Sequence, residues 1–194
     1  MKSFDEYLSD AEQAHGHLCA GQVLGVRLAM LGLEKLGMDD PQGKDRKRLV
    51  TFVEIDRCAT DAVAVVTGCR LGKRALKFRD WGKMAATFVD VESGRAIRVA
   101  AKESSKALAR EMHPEIGNKN QQQMLAYREM SDEDLFATQW VKVELPPEEF
   151  PGFKAERVTC ENCGEGINFR REVRSEGKVV CRGCAGESYY TPAD

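Results

Sequence analysis

The feature that most constrains the fold lies near the C-terminus: Cys160-x-x-Cys163, seventeen intervening residues, then Cys181-x-x-Cys184. Two cysteine pairs at this spacing are the pattern of a four-cysteine structural zinc site, each pair forming a tight turn that aims two thiolates at one point. Gly164, directly after Cys163, eases the first turn. A segment of about forty residues buries too little apolar surface to fold firmly alone, so the metal supplies its stability. Zinc is the expected ion; iron or an iron–sulfur cluster is the other occupant that four thiolates accept. The closed shell has no open position, which makes the site structural. Upstream, Pro146-Pro147-Glu148-Glu149-Phe150-Pro151-Gly152 cannot continue a strand and marks a boundary. The expected layout is a core domain over 1–145, a proline-rich linker over 146–153 and a finger over 154–194.

The core reads as α+β, a mixed helical and antiparallel-sheet domain carrying a small zinc-ribbon or zinc-finger appendage. Phe4 to Ala14 has apolar groups at helical spacing, and Gln22 to Leu36 is apolar all round with small residues at Gly25, Ala29 and Gly32, so it should be buried and closely packed. Arg27 on that helix needs either an internal partner or a route to solvent. Leu49 to Ile55 reads as a strand, Ala62 to Thr67 as a helix, and Met84 to Val91 with Arg95 to Ala100 as a hairpin turning at Ser93-Gly94. Lys102 to Met112 is a helix ending at His113, a histidine suited to a helix C-terminus. Asn118 caps a helix through Met130, Ser131 caps a short one through Ala137, and Trp140 to Leu145 alternates as a strand.

Chemistry concentrates in His15-Gly16-His17-Leu18-Cys19-Ala20-Gly21, which holds two of the three histidines and one of the seven cysteines in five residues. Imidazole and thiolate suit borderline metals, and the same pairing activates a nucleophile; helix-capping histidines beside a buried cysteine are the plainer alternative. Cys58 and Cys69 flank one helix of about eleven residues and so lie about 16 Å apart, too far to share a metal within one chain. Cys58, after a strand and at a helix start, is the better fourth member. The candidate core site is His17, Cys19 and Cys58 with His15 in reserve, an open shell holding a second metal of unassigned identity. Asp61, one turn beyond Cys58, either orients a ligand imidazole or acts as a base, or simply caps its helix. Cys58, Asp61 and Cys69 are the candidate catalytic groups. Whether the chain is an enzyme does not follow from the residues.

Arg70, Lys73, Arg74, Lys77, Arg79 and Lys83 place six positive charges against Asp80 alone, either a solvated basic face or a rim for a small anionic ligand. The finger segment, by contrast, balances seven basic residues against seven acidic ones. That favours protein contact over nucleic acid, since DNA-binding modules are distinctly basic. No run is apolar enough for a membrane span or signal peptide, and paired thiols suited to metal fit a reducing compartment, so a cytoplasmic setting is expected.

The series His15-Gly-His-Leu-Cys-Ala-Gly21, Cys58-Ala-Thr-Asp61-Ala, Thr67-Gly-Cys69-Arg-Leu-Gly72 and Ser131-Asp-Glu-Asp-Leu-Phe136 resembles the FmdE family, which takes its name from formylmethanofuran dehydrogenase, over residues 10–145. Cys160-Glu-Asn-Cys-Gly-Glu-Gly-Ile167 resembles the four-cysteine finger of the DksA/TraR type. The resemblance implies an α+β core, an intertwined homodimer, metal binding at the His/Cys motif and an association with one-carbon or molybdenum and tungsten enzyme metabolism. Ala20 stands where that pattern has proline, a change expected to alter the local turn more than the ligands.

Overall fold

The computed structural model describes residues 1–193; Asp194, one of the finger's seven acidic residues, lies outside them. Two compact units divide the chain, Met1–Glu144 and Leu145–Asp194.

In the first unit, α1 (Phe4–His15) opens on a capping box in which Ser3 Oγ accepts from the Glu6 amide while the Glu6 carboxylate accepts from the Ser3 amide. It stops at Gly16, whose φ of 92° is the left-handed conformation that frees the chain from the helix. The link that follows carries His17 and Cys19 into α2 (Ala20–Leu36). This helix is buried on nearly every side and lies between α3 (Cys58–Thr67) and the sheet. Its glycines explain how closely. A Cβ at Gly25 would meet the Ala59 carbonyl oxygen at 2.6 Å, and one at Gly32 would meet the Phe88 ring at 2.2 Å. Both α2 and α3 start earlier than the apolar periodicity suggests, at Ala20 rather than Gln22 and at Cys58 rather than Ala62. Arg27 finds its internal partners: it donates to the carbonyls of Tyr127 and Met130 and pairs with Asp132 at 2.5 Å.

The sheet has the order β2-β1-β3-β4-β5, with β1 Leu49–Val53, β2 Leu76–Phe78, β3 Ala85–Asp90, β4 Ala96–Ala101 and β5 Phe136–Val141. The β3–β4 hairpin forms as the alternation suggests. Asp90 organises its turn by accepting from the Glu92 amide and the Ser93 hydroxyl and by a two-point contact with Arg48. The pairing is antiparallel as expected except at one edge, where β1 and β2 run parallel through the α3 crossover. Strand β2 escaped the sequence because three residues, Leu76-Lys77-Phe78, are too few to display an alternation. The α4 (Ser104–Met112) and α5 (Lys119–Glu129) helices pack together, and Asn118 Oδ1 caps α5 by accepting from the Gln121 amide. The expected strand Trp140–Leu145 is also corrected. After α6 (Asp132–Leu135) the chain enters β5 at Phe136, because Phe136 already pairs with Ala101 of β4 and its register runs out at Val141.

In the second unit, β6 (Val158–Thr159) pairs with β7 (Gly166–Ile167), β8 (Val173–Ser175) pairs with β9 (Lys178–Val180), and a helical turn spans Gly183–Glu187. Its buried core is Cys160, Ile167 and Val180. No helix among the described residues is long and apolar enough to cross a membrane.

Candidate metal centre

The β6–β7 and β8–β9 hairpins bring Cys160, Cys163, Cys181 and Cys184 together with all four sulfurs within 4.8 Å of one another. Cys163 Sγ and Cys181 Sγ are 4.0 Å apart; thiolates on one tetrahedral zinc sit about 3.8 Å apart. Backbone amides support the sulfurs, Cys181 N–H donating to Cys160 Sγ at 3.2 Å and Cys184 N–H to Cys181 Sγ at 3.3 Å. The amides of Cys163 and Cys181 bring the Cys160 thiol down to about 6, whereas the neighbouring Cys181 and Cys163 sulfurs push the Cys184 thiol up to about 12. The sulfurs crowd one another closely enough that their charges are borne together only with a cation between them. The donors fit a structural zinc.

The core holds a second cluster. His15, His17 and Cys19 each present one ligand atom within 4.8 Å of the others. His15 sits at the end of α1, and its Nδ1 lies 2.8 Å from Asp61 Oδ2 on the first turn of α3. This contact engages the ring at Nδ1 and leaves Nε2 on the side away from Asp61. The His15 and His17 ring centroids are 4.7 Å apart. Cys19 occupies the N-cap position of α2 and Cys58 is the first residue of α3, so two helix N-termini face the same thiols.

Cys58 adjoins this set beside Cys19, and burial together with that neighbour raises the Cys58 thiol. A Cβ at Gly21 would lie 3.1 Å from Cys58 Cβ and 3.6 Å from Cys19 Sγ, so the glycine keeps the gap between them open. Cys69 takes a different course, and its candidacy as a reacting thiol is corrected. It is 3% exposed, its sulfur accepts from Thr51 Oγ1 at 3.5 Å, and burial raises its thiol. Reactive cysteines are partly exposed, which this buried one is not, even with the positive charge of Lys73 acting on it.

Two residues of the site went unnoticed in the sequence. Gln22, fully buried, donates from Nε2 to the Cys58 carbonyl at 2.8 Å while its Oε1 has no partner. A lone amide in an otherwise apolar run was the available signal. Asn120 of α5 accepts from the Ala20 amide at 3.0 Å through Oδ1; no local pattern announces a contact across a hundred residues. It also gives the departure at Ala20 a physical meaning. Proline suits the first turn of a helix but has no N–H to offer Asn120.

An α+β core with a histidine–cysteine ligand cluster, followed by a four-cysteine finger, defines a two-part metal-binding protein. Residues 14–137 match the family described as FmdE, molybdenum formylmethanofuran dehydrogenase operon, and residues 155–190 match the prokaryotic dksA/traR C4-type zinc finger. The chain belongs to the FmdE family. A relative from Archaeoglobus fulgidus, named as a probable S-adenosyl-L-methionine-binding protein, is 34% identical over 203 residues covering 93% of this chain. The chain spans about half (52%) of that relative's length. The crystal structure of a tungsten formylmethanofuran dehydrogenase FmdE-like protein from Syntrophus aciditrophicus has the same fold, with a TM-score of 0.67 at 23% identity, covering 98% of this chain and 96% of that one.

Proposed function

We propose that this FmdE protein serves one-carbon or molybdenum- and tungsten-dependent enzymes by holding a metal in an open shell of His15, His17, Cys19 and Cys58. The supporting observation is the approach of His15, His17 and Cys19 to within 4.8 Å at two helix N-termini, with Asp61 fixing one imidazole. A metal bound there supplies a Lewis acid with a position left for water or a small ligand. Asp61 orients His15, Gln22 holds the backbone of Cys58, and Gly21 leaves room for both thiols. Cys58 and Asp61 stand nearest as nucleophile or base for any reaction at that position. The basic stretch Arg70 to Lys83 is read apart from this shell, as a rim for a small anionic ligand. Cytoplasmic residence keeps these thiols reduced, and a homodimer with protein contacts through the finger completes the proposal.

Elemental analysis of protein purified without chelator tests the site. Two metals per chain are expected, falling to one in Cys19→Ala; one metal per chain in both proteins disproves the core site. Light scattering at twice the 21.6 kDa chain mass checks the dimer.

A second reading, a metal- or ligand-sensing regulator, draws support from the finger's match to the dksA/traR type. It requires polymerase co-purification or salt-dependent nucleic-acid binding, and the neutral finger favours the former.

A further inference from the structure

On the sheet face opposite α2, the register lines up Phe52 of β1, Thr87 of β3 and Arg98 of β4 in one row. Above this row is a cavity of about 290 Å³, walled by Arg79 and Trp81 on one side and by Val141, Lys142 and Val143 on the other. Its charges do not cancel. Arg98 is consumed by a two-point pair with buried Glu54, both contacts at 2.7 Å, and Lys142 pairs with Glu144 at 3.2 Å. Arg79, by contrast, donates only to the Phe78 carbonyl and rests over the Phe52 ring at 5.3 Å; Lys83 rests over the Trp81 ring at 5.7 Å. Neither has a carboxylate partner among the described residues. Trp81 itself is 61% exposed, a large ring left in water beside two unneutralised cations. Aromatic walls with convergent cations match a flat ring bearing a negative group.

We infer that this cavity binds a small aromatic anion of the mononucleotide type, its ring packed along Trp81 and Phe52 and its phosphate on Arg79, with Lys83 adding charge at the rim. The inference deepens the reading of the basic stretch as an anion rim and uses none of the metal ligands. A cavity of about 290 Å³ suits one base and one phosphate better than a strand of nucleic acid, which needs a continuous groove.

The test is titration of the full-length protein with AMP by calorimetry and tryptophan fluorescence, with metal content measured alongside. One AMP per chain is expected, with adenosine and ribose 5-phosphate each at least about tenfold weaker, a loss of about 1.4 kcal/mol or more. Arg79→Ala and Trp81→Ala should each weaken AMP at least about tenfold. Trp81→Ala should also abolish the fluorescence change, and Trp140→Phe should retain it. No binding at about 5 mM AMP, a floor near −3 kcal/mol, overturns the inference. So does unchanged affinity in both cavity variants, or oligothymidylate binding more tightly than AMP. Dissociation of a dimer by Trp81→Ala, with Trp81 shielded from acrylamide in the parent protein, also overturns it, because a second copy then covers the face. Unaltered metal stoichiometry throughout separates failure here from failure of the core metal site.

Discussion

The two cysteine-bearing clusters of this chain differ in what holds them. In the finger, four thiolates meet with backbone amides on their sulfurs, and only Cys160, Ile167 and Val180 are buried around them. In the core, two imidazoles and a thiolate sit at the edge of a large apolar cluster that runs from Tyr7 to Phe136. The finger therefore depends on its ion for folding, whereas the core stands on packing, and the metal we propose there is an addition to a fold already built. Under the proposed reading, the same kind of donor is a fold determinant in one unit and an addition to a pre-built scaffold in the other.

Removing metal should break this symmetry most visibly. Cys160→Ser or strong chelation is expected to unfold residues beyond Leu145, a loss on the order of 10 kcal/mol of coupled binding and folding energy. The hydrogen-exchange protection of α2 should meanwhile stay intact. Coincident loss of both units would erase the distinction. The core's own weak point is electrostatic. Arg48, Ser93 and the Glu92 amide hold the Asp90 carboxyl well below the usual carboxylate range. Because the folded value is depressed, the stabilisation is complete above the unfolded carboxylate pKa of about 4 and is lost as pH falls from there toward the folded value. Acid titration followed by circular dichroism should show that slope, and Asp90→Asn should flatten it while costing about 1–3 kcal/mol at neutral pH.

How much of this was legible in the sequence divides along the same line. The finger's ligands could be read from spacing alone, since both pairs and their turns are local. Helices α1 and α2 and the β3–β4 hairpin follow from short-range periodicity, as does Asn118 as a cap. What resisted reading depends on distant partners. Strand β2 exists because β1 offers it a parallel edge, β5 starts at Phe136 because β4 dictates the register, and Cys69 is silenced by its burial beneath the packed core. The core site is intermediate. Its His15-to-Cys19 ligand run is local, but the Asp61, Gln22 and Asn120 contacts are made only by folding.

Those long-range supports supply the finer tests. Asp61→Asn should lower core metal affinity about 10–100-fold by releasing the His15 ring, with the finger metal unchanged; competition with a chromophoric chelator resolves the two. Smallest is Ala20→Pro. Proline fits the first turn of α2 and removes nothing from the ligand set, but it deletes the N–H that Asn120 accepts. A neutral hydrogen bond of this kind contributes about 0.5–1.5 kcal/mol, offset in part by the stiffer unfolded chain that proline brings. The expected outcome is a melting temperature within a few degrees of the parent and an unchanged metal count. If Ala20→Pro instead loses the core metal, the Asn120 tether is part of the site's geometry. The core would then share with the finger a dependence of its ligands on backbone amides.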